Sequence, residues 1–149
     1  RLYNRAMTPS RGNPTYRFSA TQRLSGRQAY AEVFDARCRK SAGPLSVAGR
    51  VNQLGHNRLG LSVSRRVGPA VTRNLIKRRL REAFRLSQHQ PPHGYDLVVV
   101  VRPHKPLSLD RYQQHLRDAL CQIDQLTRRR RRRDAERSSS TPGKPDDEQ

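Results

Sequence analysis

Apolar positions mark six elements along this chain. Tyr30, Val33 and Phe34 share one face of a short helix, which the spacing of Ser25 and Gln28 opens as a capping box. Gly43-Pro44 breaks the chain. Leu45, Val47 and Val51 then alternate with Ser46, Ala48, Arg50 and Asn52, the pattern of a half-buried strand. Leu59, Leu61 and Val63 alternate in the same way with Arg58, Gly60 and Ser62. Gly55-His56-Asn57 predicts a turn between the two runs, and so an antiparallel hairpin. Gly68-Pro69 predicts a helix start with Pro at the first helical position, and the helix runs to about Leu86, ahead of Pro91-Pro92. Tyr95–Val101 ends in four consecutive valines, which favour strand over helix; apolar residues at every position from 97 to 101 predict a central strand buried on both faces. Ser108 caps a last helix whose stripe is Leu109, Tyr112, Leu116, Ala119, Leu120, Ile123 and Leu126. The order α-β-β-α-β-α with one sheet predicts a single α+β sandwich domain.

Outside residues 20–127 the pattern fades. Residues 1–19 carry Pro9, Gly12, Asn13 and Pro14 among arginines and predict a flexible basic arm. Residues 128–149 run from Arg128–Arg133 through Ser138–Ser140 to an acidic end and predict a disordered tail. The longest apolar run, Leu97–Val101, is far short of the roughly 20 residues that span a bilayer. No signal peptide opens the chain, which begins at Arg1 rather than Met, so an N-terminal piece is expected to be missing. A cytoplasmic protein with no membrane partner is expected. Cys38 and Cys121 form no CxxC pair and are expected to be reduced thiols. His89 and His93 are separated by two prolines and cannot share a helical face as metal ligands.

Charge changes the picture most. The 149 residues hold 31 Lys or Arg against 12 Asp or Glu, a formal net charge of +19, with only 33% hydrophobic residues and no Trp. Such a balance points to a polyanionic partner, nucleic acid before membrane. Residues 23–127 hold 19 basic and 7 acidic residues, so most of the excess lies in the folded part. Between Arg65 and Arg85 there are eight basic residues and one acid, Glu82. On a helical wheel Ile76, Leu80, Ala83 and Phe84 form the buried face, while Asn74, Lys77, Arg78, Arg81 and Arg85 lie opposite. Like charges four residues apart repel by a few tenths of a kcal/mol per pair, roughly. Phosphate would relieve that repulsion and release counterions. No helix-turn-helix pair precedes the basic helix; a sheet with nearby aromatics suits RNA better than the DNA major groove.

The stretch Arg58–Arg85, R-L-G-L-S-V-S-R-R-V-G-P-A-V-T-R-N-L-I-K-R-R-L-R-E-A-F-R, resembles the signature of the bacterial ribonuclease P protein subunit. The resemblance reaches back to Arg23-Leu24 and forward to the last helix, about residues 20–127. It implies a left-handed β-α-β crossover around the basic helix, an exception to the usual handedness. It implies an accessory subunit of a tRNA 5′-maturation endoribonuclease. Catalysis then lies in the RNA subunit with Mg²⁺ bound mainly by that RNA. The partners are that catalytic RNA and the 5′ leader of precursor tRNA, with one protein monomer per RNA. Arg73, Asn74, Lys77, Arg78 and Arg81 match the basic motif, and Arg65 and Arg66 the basic pair before it; with Arg85 they are the expected RNA-binding set. Tyr30 and Phe34 match the leader cleft, where unpaired bases stack on aromatics.

Two positions depart from the family pattern. Leu75 stands where Arg-Asn-Arg is usual, and Arg79 is the nearby cation that could compensate. Ala48 stands where some members carry a further cleft aromatic. A self-sufficient protein nuclease would need a carboxylate cluster, and the seven acids of the folded part are scattered. A ribosomal or other structural RNA-binding protein is the alternative that composition alone leaves open.

Overall fold

A computed structural model describes residues 18–140; the expectations for residues 1–17 and 141–149 lie outside the described residues. The element order is α1 (Arg27–Asp35), β1 (Arg39–Ala42), β2 (Leu45–Val51), β3 (Arg58–Val63), α2 (Ala70–Ser87), β4 (Tyr95–Val101) and α3 (Leu109–Ser140). Short 3-10 turns at Ala20–Gln22 and Arg65–Val67 precede α1 and α2. The α+β architecture is the expected one. The caps fall slightly differently: α1 is capped by Gly26 rather than by a Ser25 capping box, and Pro69 is the cap of α2 rather than its first residue.

The sheet order is β1-β2-β4-β3, and this corrects the predicted hairpin. β2 and β3 are not partners. β4 lies between them, antiparallel to β2 (Val47↔Val99) and parallel to β3 (Leu61↔Val99). The valine run explains the insertion. A strand apolar on both faces is most stable with a neighbour on each edge and a layer above and below, and Leu97, Val98, Val99 and Val101 are all buried. The β3–α2–β4 unit is therefore a parallel strand–helix–strand connection. β1 was not predicted; Arg39-Lys40-Ser41-Ala42 has no apolar alternation and pairs only as an edge.

The core has two unequal halves. Below the sheet, α2 and α3 bury Ile76, Leu80, Ala83, Phe84, Tyr112, Leu116, Ala119 and Ile123 against Leu45, Val47, Leu97 and Val99. Above it, α1 buries Val33 with Leu24, Ala48 and Val98. Ala48 thus lies beneath α1.

Polar side chains fix how β4 enters. Asn57 donates to the Pro92 carbonyl at 3.0 Å and accepts from the Tyr95 amide at 2.8 Å. Asp96, 2% exposed, accepts two hydrogen bonds from Arg58 at 2.7 Å each and one from Asn52 at 2.8 Å. Burial alone would raise the Asp96 carboxyl; the Arg58 guanidinium and Asn52 amide outweigh it and hold the group below its ordinary value. This clasp joins the ends of β2, β4 and β3.

The predicted tail boundary at residue 127 falls inside α3. The helix runs for 32 residues, through Arg128–Arg133. Arginine is a good helix former. Arg128 pairs with Asp124 at 2.8 Å, and Arg130 donates to the carbonyls of Ala36 and Arg37 at 3.0 and 2.6 Å. Among the described residues no helix is long and apolar enough to cross a membrane. Cys38 is buried and Cys121 half-buried, both unpaired.

Candidate nucleic-acid interface

The apolar stripe of α2 rotates its cations outward. Ile76, Leu80, Ala83 and Phe84 are the buried residues of this helix. Asn74, Arg78 and Arg81 are exposed; Arg73, Lys77 and Arg85 are half-buried. Arg65 and Arg66 lie exposed on the 3-10 turn that leads into the helix. Among the described residues, Arg65, Arg66, Lys77, Arg78 and Arg81 make no ion pair. Five cations therefore surround the N-terminal and outer faces of α2 without a carboxylate to balance them.

Three other cations are used within the protein. Arg73 Nε donates to the Gly68 carbonyl at 3.0 Å, tying the first turn of α2 to the glycine before it. Arg79 donates to the Leu107 carbonyl at 2.7 Å, on the side facing the β4–α3 connection. It therefore does not replace the cation missing at Leu75. Arg85 corrects the expected acid-free face. Its Nε donates to Glu82 at 2.9 Å, and its Nη2 pairs with the other carboxylate oxygen. The Arg85 bond holds Glu82 below its ordinary value, and Glu82 raises Arg85 in turn.

Lys77 and Arg81, one turn apart, form one wall of a groove of ≈ 220 Å³ along β3. The sheet order makes β3 an edge strand, which opens this side. The other walls are Phe18, Arg23, Leu24, Ser25 and Tyr30, and the floor is Leu59, Gly60 and Leu61. Tyr30 donates its hydroxyl to the Leu61 carbonyl at 3.2 Å. Its ring lies so close to β3 that a Cβ on Gly60 would come within 2.6 Å of the hydroxyl oxygen. Only a residue without a side chain lets the ring settle there.

The structure thus brings Tyr30 together with Lys77 and Arg81. Phe34 lies one turn further along α1, outside this groove, with the Arg39 guanidinium 5.0 Å from its ring centre. Both rings border the strip of sheet that α1 leaves half-covered at Val100. Phe18 and Arg23 were missed. Phe18 packs edge-on against Phe84 at 5.7 Å and carries the Arg23 guanidinium at 5.4 Å. Phe18 and Ser19 thus pack with the body rather than with the arm. An aromatic flanked by Arg17 and Arg23 was the only signal in the sequence. The arrangement offers a cationic wall and an aromatic ring beside an edge strand whose Leu59 carbonyl accepts from the Leu24 amide at 2.9 Å. That combination suits a single-stranded polyanion with π-faces.

Comparison with known proteins agrees. The family model described as Ribonuclease P matches residues 18–124. The chain is 46% identical over 88 residues to the ribonuclease P protein component of Methylococcus capsulatus, covering 58% of this chain and 68% of that one. It is 43% identical over 88 residues to that of Buchnera aphidicola subsp. Schizaphis graminum, covering 58% and 76%. Among solved structures it is similar to the RNase P protein of Thermotoga maritima, with a TM-score of 0.58 and 31% identity over 66% of this chain and 96% of that one. The Staphylococcus aureus RNase P protein matches with a TM-score of 0.56 and 30% identity over 66% and 92%. By its signature helix, its sheet order and these relatives, the chain belongs to the ribonuclease P protein family, the protein components of that tRNA-processing ribonucleoprotein.

Proposed function

We propose that this chain binds the catalytic RNA of ribonuclease P through the outer face of α2 and holds the 5′ leader of precursor tRNA in the groove beside β3. The observation that carries this reading is the acid-free set Lys77, Arg78 and Arg81 adjoining a groove lined by Tyr30 and Phe18. Phosphates meet the cations, and unpaired bases stack on the rings without regard to sequence. Binding and orientation are this chain's own part. On this reading the Mg²⁺ of leader cleavage is held mainly by the RNA subunit.

Reconstitution with a cognate catalytic RNA and a leader-bearing precursor tRNA tests the reading. The protein should lower the Mg²⁺ requirement and raise affinity for the leader-bearing substrate over one lacking the leader. Arg81→Ala should weaken binding and reduce the slope of log affinity against log salt by about 1. Arg85→Ala should do less, because Glu82 already neutralises that charge. Leader removal by the protein alone, or an unchanged salt slope for Arg81→Ala, would overturn the proposal. RNA binding with no preference for the leader would favour a purely structural RNA-binding role.

A further inference from the structure

The distal part of α3 has no place in the groove or on the α2 face. The last apolar residue of its core stripe is Leu126, and residues 128–139 are all exposed. At about 1.5 Å per residue the helix extends roughly 20 Å past Leu126. Of the six arginines at its root, Arg131 lies beside Tyr95 and Asp124, and the other five divide into two groups. Arg128 is paired with Asp124, whose other oxygen accepts the Tyr95 hydroxyl at 2.6 Å, so this link ties α3 to β4. Arg130 reaches the carbonyls of Ala36 and Arg37 at the C-terminal end of α1, where the helix dipole favours a cation. Two arginines thus fix the direction of the rod against two different elements. On the wheel, Arg129, Arg132 and Arg133 share an arc of about 100° to one side of Arg130, Arg132 nearly opposite it and Arg133 about 60° from it, with Glu136 one turn further on in the same arc. Among the described residues these three arginines make no hydrogen bond or ion pair.

We propose that α3 past Leu126 is a second RNA-docking arm, whose Arg129, Arg132 and Arg133 grip the phosphates of an RNA duplex. A solubilising tail needs no anchoring, whereas an oriented row of guanidinium groups does. The segment offers no aromatic ring for stacking single-stranded bases, and its only apolar residue is Ala135, so it has no face to bury in a membrane. Duplex RNA, recognised through its shape and backbone, fits what remains. The arm is separate from the groove, so the proposal stands or falls apart from the leader reading.

The test is Arg129→Gln/Arg132→Gln/Arg133→Gln in the full chain. It is titrated against a 20-base-pair RNA duplex, an unstructured RNA of ~20 nucleotides and poly-glutamate over a range of salt, probe lengths being set by the roughly 16 base pairs that a duplex-binding domain spans. The triple variant should keep its circular dichroism melt. Its duplex affinity should fall about tenfold or more at low salt, and the salt slope should drop by about 2–3, near 0.9 for each phosphate no longer neutralised. Binding of the unstructured RNA should change less than about twofold. Arg130→Gln, which loosens the anchor but leaves the row intact, should weaken duplex binding by a few-fold with a slope drop of less than about 1. An unchanged duplex affinity, an equal loss on both RNAs, or poly-glutamate bound more tightly than the duplex would each overturn the assignment.

Discussion

Gly60→Ala tests how tightly the groove is built. An added Cβ would lie 2.6 Å from the Tyr30 hydroxyl oxygen and 2.7 Å from its Cζ. Ordinary van der Waals contact begins about an ångström further out, so the ring must retreat by about that much. Overpacking of this kind costs about 1–3 kcal/mol. The Tyr30–Leu61 hydrogen bond, at 3.2 Å, stretches beyond a useful length and forfeits about 0.5–1.5 kcal/mol. Replacing glycine in a strand returns about 0.5–1 kcal/mol of backbone entropy. The balance is a loss of about 2 kcal/mol, or roughly 6–10 °C in Tm for a domain of this size. Thermal and urea unfolding measure it, and single-stranded RNA binding should weaken in parallel as the ring leaves its place. The decisive comparison is a double-mutant cycle. With Tyr30→Ala already in place, Gly60→Ala should be neutral or stabilising. If it costs as much without the ring as with it, the steric account is wrong.

Two further predictions concern the polar links that hold the sheet and α3 in place. Asp96→Asn removes the charge that Arg58 faces; because Arg58 is about one-third exposed, the loss should be about 2–3 kcal/mol rather than the full cost of an unpaired buried charge. The Asp96 carboxyl lies below its ordinary value, so its contribution is present above the ordinary carboxylate range and lost as pH falls through its folded value. Asp96→Asn should therefore flatten the acid limb of the stability curve, and an identical limb in both proteins would refute the clasp. Burial, and then the hydrogen bond to Asp124, pushes the Tyr95 hydroxyl up to about 12. Its stabilising effect is present below pH about 10 and lost as pH rises through about 12. Burial raises Tyr112 as well, so ultraviolet titration should show a late-ionising fraction, and Tyr95→Phe should reduce it by one tyrosine. A titration unchanged by Tyr95→Phe would contradict it.

Much of the fold was legible because periodicity is local. A stripe at 3.6-residue spacing tells which side of α2 is buried whatever it packs against, and so placed Asn74, Lys77, Arg78 and Arg81 on the outside. The valine run reported a central strand for the same reason: burial on both faces is written into consecutive residues. The RNA-binding candidates follow from those two readings together with the signature motif.

What the sequence could not supply were the pairings between distant segments. Alternation in β2 and β3 says that each has a buried face; it does not say which strand lies beside which, and β4 entered between them. Edge position, and with it the open side of the groove, came only from that order. The turn of Arg79 toward Leu107 and the seat of Arg130 on the end of α1 are set by where neighbouring elements pass, whereas Arg85 meets Glu82 one turn away on its own helix. Net charge alone counts these arginines alike. Tertiary structure divides them into those that hold the protein together and those left to meet a phosphate, because only packing decides which cation finds an oxygen of its own.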